Sequence, residues 1–239
     1  VFVCRPSDGN TEAACVDMIL GRLARRAFRR SIGEDDLELL RGFYQSGRNE
    51  GGFDGGIQRA LEMILVDPEF LFRLERDPDG VAPSTPYRLT DVELASRLSF
   101  FLWKSIPDDE LLELASRDEL SQPAVLTNQV RRMLGDRRAT RFMADFVGQW
   151  LQIRNIHSQD PDGALFAGFN DSLRKAMVRE TELFFESQVR EDRPIPELLR
   201  ADYTFLNERL AKHYDIPHVF GSRFRRVALK PEDRRGGLL

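Results

Sequence analysis

The sequence predicts an all-α fold, a multi-helix, bundle-like array in two packed subdomains with at most one short strand near the C-terminal end. Apolar residues recur at a spacing of three or four along most of the chain, whereas the alternation typical of strands is nearly absent. Residues that cap helices precede several of these apolar runs. Clusters of proline and glycine separate one run from the next, so the helices are expected to be joined by turns.

Composition limits the classes of function. The 239 residues are enough for one large domain or two small ones. The net charge of −4 provides no basic field, so we expect no binding to nucleic acid. The longest apolar stretch, residues 98–103, is far shorter than the roughly 20 residues of a membrane span. No membrane-spanning segment is therefore predicted.

The first predicted subdomain covers residues 1–76. Its first helix has an apolar face within residues 19–28, and arginines occupy the rest of its surface. These are Arg22, Arg25, Arg26, Arg29 and Arg30. The next helix opens with acids at 34–38, so we expect the arginines to pair with acids rather than bind phosphate. Five glycines within 47–56 lack any phosphate-loop motif and predict a turn before a third helix over 57–65.

A proline-rich linker, residues 77–86, precedes the central subdomain, residues 87–155. Thr90 and Glu93 form a capping-box pattern that predicts the start of a largely apolar, central helix. Later helices are expected over residues 125–134 and 138–153. The second of these carries a stripe at positions i, i+4, i+8 and i+11, which predicts a core face rather than a cofactor pocket. The stripe consists of Phe142, Phe146, Trp150 and Ile153.

The last region, residues 156–239, is predicted to be helical and truncated at its end. Asn170 is expected to cap a long helix that runs to about Arg190. Prolines at 194 and 196 interrupt the helical pattern, and a further helix is expected over residues 206–214. The only candidate strand lies in the last 20 residues, where three apolar positions alternate. They are Phe224, Val227 and Leu229.

Two cysteines, Cys4 and Cys15, are separated by a loop that contains Pro6 and Gly9. Neither belongs to a C-x-x-C or C-x-x-C-H pattern, so no haem attachment and no cysteine zinc site are expected in this chain. The loop could close as a disulfide hairpin, but two unrelated thiols fit the sequence equally well. The compartment of the protein would decide between them.

The standard catalytic and metal-binding motifs are missing from the sequence. It contains no G-x-S-x-G, no H-E-x-x-H and no carboxylate-rich calcium loop. Its three histidines, His157, His213 and His218, show no spacing typical of a triad or a metal site. No metal site and no cofactor site are therefore predicted within this chain.

One group of polar residues interrupts the apolar pattern and supplies the candidate site. Glu180 falls on the core face of the long helix, where an acid costs several kcal/mol unless it is paired or protonated. His213 falls on the inner face of the later helix, and Asp202 lies nearby in sequence. The functional hypothesis is that the three meet in a semi-buried site for proton transfer or metal binding. The favoured alternative is structural, with Glu180 paired to an arginine and His213 hydrogen-bonded to backbone.

Several phrases of the sequence resemble a known family along nearly the whole chain. The phrases are LARRAFRR (23–30), FDGGI (53–57), PEFLFR (68–73), LASRLSFFLW (94–103), PDDELL (107–112), QVRRM (129–133), GQWL (148–151), ETELFF (180–185), ADYTF (201–205), NERL (207–210), HY (213–214) and RRGGL (234–238). They are similar to large secreted proteins first described from planctomycetes. In those proteins such helical domains of unknown function accompany a c-type cytochrome domain, and the resemblance implies that this chain holds two successive ones and the start of a third.

The resemblance implies a piece of a larger, extracytoplasmic protein, either periplasmic or secreted. It favours a disulfide between Cys4 and Cys15, and it places c-type haem elsewhere in the full-length protein. The expected partners are other domains of the same polypeptide, a redox partner or a polymer substrate. No catalytic residue can be transferred from the family.

The favoured function is a helical scaffold or docking module of a cytochrome-associated protein. One alternative is a hydrolytic or oxidative enzyme domain that acts on an environmental polymer through the acidic and histidine residues. Another alternative is a carbohydrate- or partner-binding module. A cleft that holds Glu180, Asp202 and His213 together would favour the enzyme, whereas a wide apolar or aromatic surface patch would favour docking.

Overall fold

The computed structural model describes residues 1–7, 9–73, 75, 80–82, 84–166 and 168–238. Residues 77–79 and 83 of the predicted linker lie outside the described residues. The chain divides into an N-terminal unit, Val1–Arg131, and a C-terminal unit, Arg132–Leu239. The described residues are mainly helical, with one two-stranded sheet, which confirms the predicted all-α class.

Helices make up the regular structure described in the N-terminal unit. They are α1 (Gly9–Phe28), α2 (Glu34–Val66), α3 (Pro68–Leu71), α4 (Asp91–Leu102), α5 (Asp109–Ser116) and α6 (Pro123–Gly135), whose last residues belong to the C-terminal unit. Thr90 caps α4 as predicted, because its Oγ1 accepts from Glu93 N at 3.3 Å while Glu93 Oε2 accepts from Thr90 N at 2.9 Å. The capping-box prediction is confirmed.

The core of the N-terminal unit forms where α1 packs against a bent α2. Only Gly51 and Gly52 leave the helical conformation in α2, so the predicted turn is much shorter than residues 47–56. The bend brings Gly47 next to Gly55, where a Cβ on Gly47 would lie 2.4 Å from the Gly55 carbonyl oxygen. Gly56 meets the Tyr44 ring in the same way, at 2.5 Å. The absence of side chains at these glycines therefore permits the close packing.

Three arginines in or just after the last turns of α1 pair with acids, and the predicted pairing with the next helix is seen at one of them, Arg30. Arg30 Nη1 donates to Asp36 Oδ2 at 2.7 Å. Two further arginines reach α5 instead, since Arg25 lies 3.1 Å from Glu113 and Arg26 lies 3.5 Å from Asp109. Arg29 is buried and donates to backbone carbonyls. Its acceptors are the carbonyls of Ala27, Glu69, Phe70 and Phe72.

The division between the units falls at residues 131 and 132, inside α6, whereas the proposed segments end at 76, 155 and 239. The ion pairs just described attach α5 to α1. Arg97 of α4 also donates to Glu75, with nitrogen–oxygen distances of 2.7 and 2.6 Å. These contacts connect α5 to α1 and α4 to the segment that follows α3, although a proline-rich segment separates them in sequence. Local composition carries no signal for such pairing.

Cys4 and Cys15 form a disulfide, with their Cα atoms 5.9 Å apart. This confirms the pairing that the family resemblance favoured. The bond holds the N-terminal segment beside α2, where the Phe2 ring lies 6.1 Å from that of Phe53 and Arg5 pairs with Asp54 at 3.0 Å. None of the described helices is long and apolar enough to cross a membrane.

The C-terminal unit combines helices with a small antiparallel sheet. Its elements are α7 (Thr140–Trp150), α8 (Asp171–Arg190), α9 (Glu197–Arg200), β1 (Tyr203–Leu206), α10 (Glu208–His213) and β2 (Arg225–Ala228), with short 3-10 turns at Arg137–Ala139, Ile153–Ser158 and Pro231–Asp233. Asn170 caps α8 as predicted, since its Oδ1 accepts from Leu173 N at 3.1 Å.

The predicted C-terminal strand is present as β2, but its partner was not predicted. In the sheet, Tyr203 of β1 lies opposite Ala228, and Leu206 lies opposite Arg225. Leu206 was predicted to start a helix and instead ends β1. The helix begins after Asn207, whose Oδ1 accepts from Leu210 N at 2.9 Å. Four residues are too few for alternation to identify β1.

The predicted core stripe of α7 is wrong. The buried residues of α7 are Met143, Val147 and Gly148, whereas Phe146 is 45% exposed and Trp150 is 52% exposed. Helix α7 packs on α8, and the Phe146 and Trp150 rings contact Phe185 of α8 while remaining partly in solvent. The helical spacing was correct, but the face assigned to the core was not.

We predict that Gly56→Ala lowers the free energy of unfolding by about 1–3 kcal/mol, because the new methyl group would overlap the Tyr44 ring. Gly42→Ala in the same helix is the matched control. A Cβ at residue 42 meets nothing within 4 Å, so this change should be neutral or slightly stabilising. Urea unfolding followed by circular dichroism measures both variants, and equal stabilities would contradict the packing argument.

Candidate functional site

Glu180 lies on the buried side of α8 and is only 8% exposed. Its position in the helix is one turn before Phe184 and two turns after Leu173, and both of these neighbours are buried. Because Glu180 shares a helix face with these buried apolar residues, its carboxylate lies in the interior. Such a charge needs partners, because burial removes its hydration.

Two hydroxyl groups bind the Glu180 carboxylate. Thr204 Oγ1, from β1, donates to Glu180 Oε1 at 2.6 Å. The hydroxyl of Tyr214, the residue that follows α10, donates to Glu180 Oε2 at 2.8 Å. Both carboxylate oxygens are thus occupied by side chains from other elements of the same unit.

Arg235 adds a positive charge and connects the C-terminal segment to this cluster. Its Nη2 lies 3.9 Å from Glu180 Oε1, and its guanidinium lies over the Tyr214 ring, 3.6 Å from the centroid. The following residues are held by backbone bonds, from Gly237 N to the Ala201 carbonyl at 3.0 Å and from Leu238 N to the Leu198 carbonyl at 2.8 Å. Glu180 therefore joins α8, β1, the end of α10 and the C-terminal segment.

The pKa of the Glu180 carboxyl group lies above its ordinary value. Burial raises the pKa of Glu180, while the hydrogen bonds from Thr204 and Tyr214 and the charge of Arg235 oppose this rise. Burial also raises the pKa of Tyr214, and the neighbouring Glu180 charge raises it further. Chemically, the cluster can hold a proton on its carboxyl group at a higher pH than an exposed glutamate does.

The structure does not bring the three sequence-predicted site residues together. Asp202 and His213 are exposed. The Asp202 carbonyl accepts from Leu229 N at 2.6 Å, and the His213 ring lies 5.3 Å from that of Tyr214. Among the described residues, no hydrogen bond or ion pair joins Glu180 to either. A catalytic role for Glu180, Asp202 and His213 stays a prediction.

The actual partners of Glu180 are Thr204, Tyr214 and Arg235, and the sequence indicated only part of this set. Tyr214 follows the apolar face of the last helix, so its inward direction was foreseeable. Arg235 lies 55 residues after Glu180, just beyond a 3-10 turn. No local sequence pattern indicates that it contacts Glu180. In the part of the chain that the structure describes, no group of three or more His, Cys, Asp or Glu side chains could hold a metal ion.

A second feature is a row of four aromatic rings, two of them exposed, which we call the aromatic face. It consists of Phe142, Phe146 and Trp150 of α7 with Phe185 of α8. Successive ring centroids along α7 are 6.0 Å apart, and the Phe146 ring stacks on Phe185 at 5.6 Å. Phe185 is buried and Trp150 also meets it, at 6.3 Å, so the exposed rings rest on a fixed support.

The pKa of Glu180 leads to a prediction with a definite sign. Because this pKa is raised above its ordinary value of 4.5, Glu180 contributes stability that is present below pH 4.5 and lost as the pH rises through the folded-state pKa. We expect the stability of Glu180→Gln, relative to that of the wild type, to increase as the pH rises from about 3 to about 7. Urea unfolding of both proteins at pH intervals of about half a unit measures this difference.

Glu12→Gln is the control of opposite sign. In the wild type, hydrogen bonds with Arg48 and Tyr44 lower the pKa of Glu12 to about 2. The contribution of Glu12 to stability is therefore present above pH 4.5 and lost as the pH falls toward 2. The relative stability of this variant should therefore decrease as the pH rises. Parallel trends in the two variants would contradict the assignment for Glu180.

Comparison with known proteins identifies two families along the chain. Residues 89–216, more than half of the 239, match PSD4, a protein of unknown function (DUF1592). Residues 15–75 match PSD5, also a protein of unknown function (DUF1595). No curated protein and no solved structure matches the chain. The predicted pair of successive domains of unknown function is confirmed, and the chain belongs to the PSD4 family, with a PSD5 domain before its PSD4 domain.

Proposed function

We propose that this chain is a docking module of a larger exported protein, and that its aromatic face binds the c-type cytochrome domain expected beside it. The observation that carries the proposal is the exposure of Phe146 and Trp150 next to each other on α7. Apolar groups that remain in water are favourable to bury, and tryptophan and phenylalanine are enriched where proteins meet.

The support beneath the aromatic face also favours docking. The rings of Phe146 and Trp150 each contact Phe185, so their positions are largely fixed before a partner arrives. Binding then costs less side-chain entropy than it would with mobile rings. A rigid aromatic pair of this kind is typical of the few residues that provide most of the affinity in an interface.

The geometry of the rings favours a protein over a sugar chain. Phe142 is tilted by 41° to Phe146, and Phe146 by 42° to Trp150. The three rings therefore present no common plane on which a sugar chain could lie. A protein surface can follow such a contour, because its side chains interlock with the individual rings.

The Glu180 cluster supports docking over catalysis. Both oxygens of the carboxylate accept hydrogen bonds from side chains, and the other two candidate residues lie on the surface. A general base needs an oxygen that can reach a substrate proton. The cluster is better explained as a connection between elements of the C-terminal unit.

The disulfide supports export. Disulfides persist in oxidising compartments and are rare in the cytosol, so the Cys4–Cys15 bond is compatible with a periplasmic or secreted protein. The family resemblance leads to the same compartment and supplies the cytochrome as partner. The two successive helical domains are the support for the proposed scaffold role.

The docking proposal is tested with the c-type cytochrome domain of the same full-length protein, titrated calorimetrically against this chain. The double variant Phe146→Ser/Trp150→Ser should weaken binding at least about 30-fold, the scale expected when a pair of central aromatic residues is lost. Phe220→Ser is the matched control, because Phe220 is 67% exposed but lies outside the aromatic face. Equal loss in both variants, or unchanged binding of the double variant, would contradict the proposal.

The full-length gene tests the compartment separately. We expect it to encode a signal peptide and a C-x-x-C-H haem-attachment motif upstream of these domains. Sequencing of the gene and a haem stain of the purified protein provide the measurement. A gene without both features would overturn the exported, cytochrome-associated context.

A further inference from the structure

We propose that a pocket in the N-terminal unit binds a tetrahedral dianion, sulfate or phosphate, at the guanidinium of Arg73. The pocket has a volume of about 280 Å³ and lies between the end of α1, α3 and the first turns of α4. Arg29, Arg30 and Arg73 contribute three positive charges to its walls, and Glu69 and Glu93 contribute two negative ones. This site is independent of the docking function proposed above.

The carboxylates around the pocket already have partners. Glu69 Oε2 accepts from Arg30 Nε at 2.8 Å. Glu93 Oε2 accepts from the backbone N of Thr90 at 2.9 Å and from its hydroxyl at 2.8 Å. Glu75, whose charge also acts on Arg73, accepts from two nitrogens of Arg97.

Arg73 itself makes no ion pair with a carboxylate among the described residues. It is exposed, and its guanidinium lies 5.0 Å from the centroid of the Phe100 ring. Stacking on an aromatic ring fixes the plane of a guanidinium while leaving its N–H edge available. Arg73 is therefore oriented but retains donors for a ligand.

Arg29 provides a second positive charge in the wall of the pocket, where the charge of Glu69 also acts on it. It is 6% exposed, and its hydrogen bonds go to backbone carbonyls. Burial lowers the pKa of Arg29, the charge of Glu69 raises it, and the charge of Arg73 lowers it. The charges of the two guanidinium groups repel each other, and an anion beside Arg73 would reduce that repulsion.

The chemistry of these groups selects the ligand. A guanidinium presents two parallel N–H groups that match two oxygens of a sulfate or phosphate. A charge of −2 interacts with Arg73 and Arg29 more strongly than a charge of −1 does. Thr90 and Val92, at the start of α4, also line the pocket.

The test measures thermal unfolding and calorimetric binding of the whole chain with sodium sulfate and, separately, sodium phosphate at pH 7.5. Sodium chloride and sodium acetate at the same ionic strength are the reference salts. We expect binding of either dianion with a Kd on the order of 1 mM and a rise in Tm of a few degrees. Arg73→Gln should weaken this binding about tenfold, and Arg73→Lys should weaken it less, since lysine keeps the charge but loses the paired donors.

Arg59→Gln is the matched control, because Arg59 is an exposed arginine on α2, outside the pocket, that pairs with Glu62. Its affinity for the dianions should equal that of the wild type. Stabilisation by acetate or chloride as large as that by sulfate and phosphate would overturn the proposal. So would unchanged affinity in Arg73→Gln, or an equal loss in Arg59→Gln, because the ion would then respond to general charge rather than to this pocket.

Discussion

Each unit of this protein depends on a buried ionisable side chain that must be partnered. A charge removed from water loses its hydration, so it persists in an interior only where dipoles or opposite charges replace the solvent. In the N-terminal unit that side chain is Arg29, which gathers carbonyls from the ends of α1 and α3. In the C-terminal unit it is Glu180, which gathers two hydroxyls and the guanidinium of Arg235. Distant segments are held together because these charges need them.

This constraint separates structural from functional candidates. Glu180 has the burial and the raised pKa of an active-site acid, yet both of its oxygens are committed to Thr204 and Tyr214. Perturbed pKa values also arise in structural networks. An active-site acid keeps an oxygen available to a substrate, whereas in a structural network the protein's own side chains bind both oxygens. The groups that remain available to a ligand lie on the surface. They are the rings of α7 and the guanidinium of Arg73.

Local sequence patterns predicted what local interactions control. The capping box at Thr90 and the cap at Asn170 lie where expected, because a cap bonds to backbone only three residues away. The apolar pattern also predicted correctly that Glu180 lies on the buried face of its helix. It failed for α7, where Phe146 and Trp150 were assigned to the core. Spacing shows which residues share a helix face, but only the neighbouring helix determines which face is covered.

By itself, the sequence determined the helical class, the positions of most helices and the burial of an acid in α8. The disulfide came from the family resemblance. Tertiary structure alone decided which groups meet Glu180, bringing in Arg235 and leaving Asp202 and His213 in solvent. It also paired the arginines of α1 with acids of α5 and supplied β1 with its partner. The reason is physical: helix propensity and capping act over a few residues, whereas ion pairing, ring contacts and strand pairing depend on where distant segments come to lie.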